Sequence, residues 1–262
     1  MKIAIIGAGN LGMSIAKGML NSDLKLDSLY LTKRTISDLT NCNFGTKVKI
    51  TANNNKAIQN SEIIIVAVQP KQLKQVLSEI KCDLQSKHTI ISVVTGRKIE
   101  EIESVLGKEI AIIRSMPNTA ISVSESMTCL CANQKGEEKL TSATTIFNSL
   151  GTTLQIDEKL MQAATVICAS GIAFWMRLIR ATTQGAIQLG FDAKEAQELA
   201  MQTCLGASSL LVKSGNHPEQ EIDKVTTPSG CTIEGLNEME HQGLSSSLIK
   251  GLVTSFEKIN QI

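Results

Sequence analysis

The sequence predicts an α/β protein: a doubly wound N-terminal domain followed by an all-helical C-terminal domain. Two observations support this prediction. Short β-branched apolar runs alternate with helical patterns up to about residue 156, as in a parallel sheet with helices on both faces. After residue 157 the strand patterns stop and long helical periodicities replace them. We therefore predict two domains, residues 1–156 and residues 157–262.

Five nearly continuous apolar runs are predicted as strands, because burial on both faces removes the polar alternation of a half-exposed strand. They cover residues 2–6, 28–31, 63–68, 89–94 and 110–114, and two later candidates cover 127–132 and 152–155. The intervening helices are predicted at residues 10–20, 70–80 and 98–106.

The C-terminal half begins with residues 157–189, which are predicted as one long helix. Between residues 160 and 176 this helix carries no charge and approaches the length of a membrane span. Because that stretch contains Gln162, Ser170 and Gly171 and no second such stretch exists, we expect a buried helix instead. A helix that is apolar on nearly all sides needs partners on all sides. We therefore expect the domain to complete its core by dimerising.

Four further helices are predicted in this half. Asp192 suits the N-cap of the first, with Glu195 at the capping-box spacing, and Gly215 suits a left-handed stop after about Lys213. The others are predicted at residues 218–224, 233–241 and 245–259, and a turn-rich stretch at 226–232 precedes the third.

Charge and cysteine content exclude several classes of function. The 26 Lys and Arg residues balance 25 Asp and Glu residues, so we expect no nucleic acid and no membrane surface as a partner. Seven scattered cysteines without CxxC spacing, together with three histidines, predict no metal site and no disulfide framework. An apolar run already begins at Ile3 without a charged leader, so we expect no export signal and a cytoplasmic chain with reduced thiols.

A Gly-x-Gly-x-x-Gly run directly follows the first predicted strand and opens the first predicted helix, the context in which this motif binds a dinucleotide. Gly7 permits the tight turn, Gly9 removes a side chain that would block the pyrophosphate, and Gly12 lets helix and strand pack closely. The phosphates would meet free N–H groups at the positive end of the helix. The sequence thus predicts a Rossmann domain whose cofactor-binding residues include Ile6, Gly7, Ala8, Gly9, Asn10, Leu11 and Gly12.

The residues after the second strand indicate which nicotinamide cofactor is used. Domains that prefer NAD usually carry an acidic residue here, whereas this chain has Thr32, Lys33, Arg34 and Thr35. Two cations beside hydroxyl groups suit a 2′-phosphate. We therefore expect NADP(H) to be preferred, with NAD(H) possible. The alternative, that Lys33 and Arg34 are simply a solvated pair on a loop, stays open.

Three later loops should face the cofactor from the carboxyl ends of strands. Individually they could be plain turns, but their small and polar residues, in this order, favour a cofactor cleft. The first contains Ala67, Val68, Gln69 and Pro70, the second Thr95 and Gly96, and the third spans residues 116–119.

Residues 225–236 read Val-Thr-Thr-Pro-Ser-Gly-Cys-Thr-Ile-Glu-Gly-Leu, a turn rich in hydroxyl groups before a helix. Such a turn presents several N–H groups and the Thr232 hydroxyl to a carboxylate. The alternative is ordinary helix capping by Thr232 or Thr227. This run resembles the signature of pyrroline-5-carboxylate reductases, commonly V-T-S-P-G-G-T-T-I-A-G-L. The resemblance covers nearly the whole chain, including residues 6–11, 67–70, 116–119, 202–209 and 214–218.

The resemblance implies a Rossmann domain joined to a helical dimerisation domain, and reduction of L-1-pyrroline-5-carboxylate to L-proline with NADPH or NADH. It places residues 6–11 on the pyrophosphate, Arg34 and Thr35 near the adenosine ribose, and Asn54 with residues 67–70 along the cofactor. It implies that Thr232 lies beside the ring nitrogen as the catalytic residue. The substrate carboxylate would be held by Thr227, Ser229, Gly230, Cys231 and Thr232.

Several positions depart from the family pattern. Gln69 stands where the family usually has Lys, and Lys224 where some members have Asn. Ser229 and Cys231 replace a Gly and a Thr or Ala, and residues 168–173 read Cys-Ala-Ser-Gly-Ile-Ala instead of S-G-S-G-P-A. Two rival functions stay open. One is another imine or keto-acid reductase, although the uncharged stretch between Lys159 and Arg177 lacks the lysine of hydroxyacid dehydrogenases. The other is a non-catalytic dinucleotide sensor.

Overall fold

The computed structural model describes residues 1–40 and 44–260, which form two compact units. The first unit comprises Met1–Ala169 with the C-terminal residues from Ile259, and the second comprises Ser170–Lys258. This boundary falls inside a helical run. The predicted division at 156/157 follows the end of the last strand and stays a prediction.

The first unit is built on one eight-stranded sheet with the order β3-β2-β1-β4-β5-β6-β7-β8. The first six strands of that order are parallel, β7 runs antiparallel to β6, and β8 is parallel to β7. Because the order reverses at β1, the carboxyl ends of β1 and β4 form the switch point where ligands bind. The strands are β1 (Lys2–Ile6), β2 (Ser28–Thr32), β3 (Val48–Thr51), β4 (Ile63–Val66), β5 (Thr89–Ser92), β6 (Ala111–Met116), β7 (Ser126–Ala132) and β8 (Gly151–Gln155).

Helices cover both faces of this sheet, which confirms the predicted doubly wound class. One face packs on α1 and α7, and the other on α3, α4, α5 and α8, so successive residues such as Ile5 and Ile6 of β1 enter different cores. The helices are α1 (Asn10–Asn21), α2 (Ser37–Thr40), α3 (Asn54–Gln59), α4 (Leu73–Ile80), α5 (Ile99–Leu106), α6 (Gln134–Glu137), α7 (Leu140–Asn148) and α8 (Met161–Ala164).

The predicted strands and helices of this unit are confirmed within a few residues, but some elements were not predicted. β3 was not predicted because it is short and only half-buried, and its polar residues Lys49 and Thr51 alternate with its two apolar ones. The short helix α3 and the Thr-rich helix α7 were also not predicted. The predicted helix at 70–80 begins as a 3₁₀ turn, Pro70–Gln72, before α4.

The second unit is helical throughout the residues described. Asp192 Oδ1 accepts from the N–H groups of Lys194 and Glu195 at 2.8 and 2.9 Å, and Gly215 ends the helix with φ of 67°. The predicted start and stop of this helix are thus confirmed. The helices of the second unit are α9 (Gly171–Gln188), α10 (Ala193–Ser214), α11 (Pro218–Val225), α12 (Cys231–His241) and α13 (Leu244–Ile259).

The long helix predicted over 157–189 is present as one helical run, Glu158–Gln188, but the run is irregular. The run begins with a 3₁₀ turn, Glu158–Leu160, continues as α8, and passes through a π-helical segment, Thr165–Ser170, before α9. Two side-chain bonds accompany this irregularity. Thr165 Oγ1 donates back to the Met161 carbonyl at 2.8 Å, and Asn118 Nδ2 donates to the Cys168 carbonyl at 3.0 Å. An outside donor on a helix carbonyl perturbs the regular i→i−4 ladder.

The helical run Glu158–Gln188 is long and apolar enough to cross a bilayer by length and composition, and 22% of its apolar window is buried. Most of this window is therefore exposed in the single chain, and the burial expected from the sequence depends on the predicted dimerisation. Large apolar side chains are exposed along it and along α10 and α13. They include Ile167, Trp175, Met176, Leu205, Leu210, Ile249 and Val253. Large exposed apolar side chains in this number indicate a site of association.

Candidate functional site

The turn between β1 and α1 lies at the switch point of the sheet. Gly7 has φ of 101°, and a Cβ there would lie 2.7 Å from the Ala67 carbonyl oxygen, so only glycine fits. The N–H groups of Gly7 and Ala8 donate to the Thr32 carbonyl at 3.2 and 2.7 Å. These contacts hold the turn between the ends of β2 and β4.

The other two glycines of the motif occupy different surroundings. Gly9 is the N-cap of α1 without a side-chain cap, and a Cβ added to it would have nothing within 4 Å. A Cβ on Gly12 would overlap the Gly7 carbonyl oxygen and lie 3.1 Å from Ile5 Cγ2. Gly12 therefore serves close packing, whereas Gly9 leaves an open approach to the first N–H groups of α1. Such a cradle fits a pyrophosphate.

A cavity of about 390 Å³ opens beside this turn, at the carboxyl ends of β1, β2 and β4. It brings together many of the predicted cofactor residues: Ile6, Gly7, Ala8, Gly9, Lys33, Arg34, Asn54, Ala67, Val68 and Gln69. Thr32, one of the two hydroxyl residues predicted beside the cations, also lines it. The other lining residues were not singled out from the sequence: Ala52, Gln72, Gln75, Val76 and Glu79.

Three of the lining residues form a hydrogen-bonded chain across the cavity wall. Thr32 Oγ1 donates to Asn54 Oδ1 at 2.7 Å. Asn54 Nδ2 donates to both carboxylate oxygens of Glu79 at 3.1 and 3.2 Å. The amide of Asn54 is therefore fixed in one orientation at the start of α3. Glu79 places a carboxylate in the lining of the cavity.

Two cations stand in the wall next to that chain. Lys33 and Arg34 follow β2 directly, and both line the cavity, with Arg34 exposed. A guanidinium and an ammonium at the mouth of a cleft suit a 2′-phosphate, whose oxygens share about two negative charges. The cavity thus offers donors for a phosphate and, through Glu79, an acceptor for hydroxyl groups.

The remaining predicted cofactor residues lie elsewhere. Asn10 and Leu11 continue α1 behind the turn, and Thr35 is exposed beyond Arg34. Pro70 lines a separate cavity with Arg97, Gly96 lines another with Arg114, and Thr95 is exposed after β5. A role for them in cofactor binding stays a prediction.

The loop after β6 is anchored within the first unit. Asn118 is buried, its Oδ1 accepts from the Ala120 N–H at 2.9 Å, and its Nδ2 donates to the Cys168 carbonyl at 3.0 Å. Its own N–H donates to Ser126 Oγ at 3.1 Å. Asn118 therefore fixes the π-helical segment to the end of β6 with both ends of its side-chain amide.

In the second unit, the turn before α12 presents the predicted substrate residues. Gly230 donates its N–H to the Thr227 carbonyl at 2.9 Å, and a Cβ on Gly230 would overlap Thr227 Oγ1. Ser229 adopts φ of 55°, a conformation that glycine enters more easily. The predicted helix 233–241 is confirmed as α12, but it begins earlier, at Cys231, so Thr232 lies in its first turn.

The start of α12 is open to a ligand. Gly230 is the N-cap, no side chain caps the helix among the residues described, and Thr227, Ser229, Cys231 and Thr232 are exposed. Capping by Thr227 or Thr232 is therefore not what the structure shows. Uncapped N–H groups at the positive end of a helix, surrounded by hydroxyl groups, suit a carboxylate.

Two family models match the chain. One, described as pyrroline-5-carboxylate reductase dimerisation, matches residues 158–262. The other, described as NADP oxidoreductase, coenzyme F420-dependent, matches residues 2–96.

Curated proteins match over almost the full chain. Pyrroline-5-carboxylate reductase 1 of Dictyostelium discoideum is 45% identical over 98% of this chain, which spans 49% of that protein, about half its length. Pyrroline-5-carboxylate reductase 2 of the same organism is 42% identical over 98% of this chain and 91% of its own length. Among solved structures, Plasmodium falciparum pyrroline carboxylate reductase with NADP bound has a TM-score of 0.85 at 27% identity, over 99% of this chain and 97% of that one.

Proposed function

The chain belongs to the pyrroline-5-carboxylate reductase family, and on that premise we propose that it reduces L-1-pyrroline-5-carboxylate to L-proline with NADPH. The observation that carries the substrate assignment is the open N-terminus of α12. Its exposed hydroxyl groups and uncapped N–H groups match the acid group of a small cyclic imino acid.

The residues of the first unit fit the cofactor. The N–H groups opened by Gly9 would hold the pyrophosphate, and Lys33 and Arg34 would hold the 2′-phosphate. Asn54 would donate to or accept from the adenosine ribose, in the orientation that Glu79 fixes. When bound, the nicotinamide supplies the hydride. NADH remains a usable donor, because Glu79 offers an acceptor for ribose hydroxyl groups.

The protein's own contribution is mainly positioning. The N–H groups of Cys231 and Thr232, with the hydroxyl groups of Thr227 and Ser229, would grip the substrate carboxylate. The Thr232 hydroxyl oxygen would accept a hydrogen bond from the protonated ring nitrogen and so fix the orientation of the C=N bond. A protonated C=N is already electrophilic, so a strong catalytic acid is not required.

The helical domain supports a homo-oligomer, as the dimerisation model that matches it indicates. We propose that its smallest form is a homodimer in which a second copy covers the exposed apolar surface of α9, α10 and α13. Sedimentation equilibrium tests this proposal: a monomer at micromolar concentration would contradict it.

NADPH oxidation with L-1-pyrroline-5-carboxylate, followed by absorbance, tests the activity. We expect turnover from the wild-type chain and from Thr141→Ala, which removes an exposed hydroxyl on α7. Thr232→Ala should raise KM or lower kcat, because it removes the hydroxyl beside the ring nitrogen. Full activity in Thr232→Ala would contradict the proposed role of that residue. Cofactor binding without turnover would indicate a sensor, and turnover only with other imines or keto acids a different reductase.

We also propose that the protein is cytoplasmic. All six cysteines within the described residues are free thiols, as expected in the reducing cytoplasm. Cys42 lies outside the described residues.

A further inference from the structure

A second cavity of the first unit, of about 410 Å³, is lined by the loop after β5, by β6 and by the start of the helical run Glu158–Gln188. Among the residues described, it shares no lining residue with the dinucleotide cavity beside Gly7. Three of its side chains are cations and one is a carboxylate, so its wall is positive. The lining residues are Gly96, Lys98, Arg114, Glu158, Lys159 and Gln162.

Arg114 is the buried cation of this cavity, with a side chain that is 9% exposed. Its Nη1 donates to Glu158 Oε1 at 2.7 Å, and no other residue in the described part of the chain accepts from the guanidinium. None of its remaining nitrogens is among the fully buried polar atoms that lack a partner. These nitrogens therefore keep contact with solvent, and the cavity that Arg114 lines gives access to them. A buried guanidinium with unused donors is suited to a ligand that accepts hydrogen bonds.

The carboxylates near Arg114 are already engaged. Glu158 Oε1 accepts from the Ile99 N–H at 2.7 Å as well as from Arg114. Glu101, one turn into α5, forms an ion pair with Arg97 at 3.0 Å. The positive charge of the cavity is thus compensated only in part by these two groups.

Two lysines and an amide surround the guanidinium. Lys98 immediately precedes α5, and Lys159 and Gln162 lie at the start of the helical run. Both lysines are exposed, so their ammonium groups are free to turn towards a ligand. Lys159 Nζ also pairs with Asp157 Oδ2 at 2.9 Å, but both side chains are more than two-thirds exposed. An ion pair with that exposure holds its partners only weakly.

We propose that this cavity binds a phosphate dianion, with Arg114 as its anchor. A guanidinium that gives one nitrogen to Glu158 still offers other donors of its planar fork to phosphate oxygens. Lys98 and Lys159 would neutralise the remaining negative charge, and the Gln162 amide would add a neutral donor. The cavity volume lies in the range of small-molecule sites and exceeds what one phosphate group fills, which favours a small phosphomonoester over free phosphate.

Such a ligand would connect three parts of the first unit: β6, the loop after β5 and the start of the helical run. The inference goes beyond the proposed reaction and does not depend on it, because no residue of this cavity is assigned to hydride transfer or to the substrate carboxylate. Its test is therefore a binding measurement, and loss or absence of turnover would not affect the result.

Isothermal titration calorimetry with glycerol 3-phosphate and with inorganic phosphate, at matched ionic strength, tests the proposal. The full chain carries Arg34→Ala, which removes the guanidinium best placed to hold a phosphate in the dinucleotide cavity. We expect saturable binding of glycerol 3-phosphate and weaker binding of inorganic phosphate. Tighter binding of inorganic phosphate would support the site with free phosphate as its ligand. Absence of saturable binding with both compounds would overturn the proposal.

Two substitutions at the cavity wall locate the bound phosphate, each made in the Arg34→Ala chain. Lys98→Ala should raise Kd about 2–5-fold, because it removes one exposed cation. Gln162→Glu should raise Kd about tenfold or more, because it adds a carboxylate beside the anion. Lys108→Ala, which removes an exposed cation after α5, is the matched control and should leave Kd unchanged. An unchanged Kd in either wall variant would place the phosphate elsewhere and overturn the proposal.

The role of Arg114 as the anchor is tested by Arg114→Lys, which keeps the charge but loses the fork. Folded Arg114→Lys should bind glycerol 3-phosphate about tenfold more weakly or worse. Because the substitution also alters the bridge to Glu158, circular dichroism must first show that the variant is folded. Equal affinity in folded Arg114→Lys would overturn the anchor, and if the variant does not fold, the two wall substitutions still decide the site.

Discussion

Arg114 Nη1 lies 2.7 Å from Glu158 Oε1, and the same carboxylate oxygen accepts from the Ile99 N–H at 2.7 Å. Arg114 is buried in β6, and Glu158 is the first residue of the helical run that leads to the second unit. One carboxylate thus joins the sheet, the first turn of α5 and the start of that run. A guanidinium buried at this depth requires such a partner.

Glu158→Ala should destabilise the protein by about 1–3 kcal/mol, because it leaves the buried Arg114 guanidinium and the Ile99 N–H without their acceptor. The lower part of that range applies because Glu158 remains about a third exposed. Urea unfolding followed by circular dichroism measures the change. Glu100→Ala, which removes an exposed carboxylate from α5, is the control and should change stability by less than about 0.5 kcal/mol. Equal effects of the two substitutions would contradict this account.

The chain Thr32–Asn54–Glu79 leads to a prediction about cofactor affinity. Glu79→Ala should raise KM for NADPH about 3–10-fold, since the Asn54 amide loses one of the two partners that orient it. The kcat should stay close to the wild-type value, because Glu79 lies in the wall of the adenosine end of the cavity. Steady-state kinetics with varied NADPH checks both values. Glu125→Ala, an exposed carboxylate after the β6 loop, should change neither. A selective fall in kcat would argue against a positioning role.

Arg34 should determine the preference for the phosphorylated cofactor. Arg34→Ala should raise KM for NADPH about 10–100-fold, the effect of losing a charged hydrogen bond worth about 1.5–3 kcal/mol. KM for NADH should change little, because that cofactor has no 2′-phosphate. The ratio of kcat/KM for the two cofactors is the measurement, with Lys17→Ala, an exposed cation of α1, as the control. An equal fall in kcat/KM with both cofactors would mean that Arg34 contacts a part of the dinucleotide that NADPH and NADH share.

How far the sequence predicts this site depends on where each contact comes from. Gly7, Gly9 and Gly12 were recognisable because their function is local: a turn between one strand and one helix. Glu79 was not recognisable, since its role depends on Asn54, 25 residues away, and on how α3 and α4 pack.

The irregular helix shows the same limit. The uncharged stretch 160–176 correctly indicated a helix that needs partners. The π-helical segment inside it accepts a hydrogen bond from Asn118, which lies 50 positions earlier in the chain. No local periodicity in the sequence reveals a contact over that separation. The earlier start of α12, at Cys231, was missed for a different reason: the turn before it is closed by a backbone bond from the Gly230 N–H to the Thr227 carbonyl, with no side-chain cap to indicate it.

His88 should make stability depend on pH. It is 1% exposed, its Nδ1 accepts from the Gln85 N–H at 2.8 Å, and its Nε2 has no partner among the described residues. Burial, aided by Lys87, lowers the pKa of His88 below its usual value of 6.5. The unfolded chain therefore takes up the proton first as the pH falls. The stability that neutral His88 provides is complete above about pH 6.5, declines as the pH falls towards the folded-state pKa, and stays constant below it.

His88→Asn should flatten this decline, since an amide can accept from Gln85 without titrating. Urea unfolding at a series of pH values between about 7 and 5 measures the slope for the wild type and the variant. His241→Asn, at an exposed position in α12, should keep the wild-type slope. An unchanged slope in His88→Asn would assign the pH dependence to other groups.

Gly9 and Gly12 should respond in opposite ways to the same added methyl group. Gly12→Ala should reduce the free energy of unfolding by about 1–3 kcal/mol, because its Cβ would overlap the Gly7 carbonyl oxygen and force α1 away from β1. Gly9→Ala should cost less than about 1 kcal/mol, since its Cβ points into open space and only the N-cap preference changes. The same open space is where the pyrophosphate would lie, so Gly9→Ala should raise KM for NADPH about tenfold or more. Unfolding curves and cofactor titrations on both variants separate the two effects. A Gly9→Ala protein that binds NADPH normally would mean that the dinucleotide does not approach this turn.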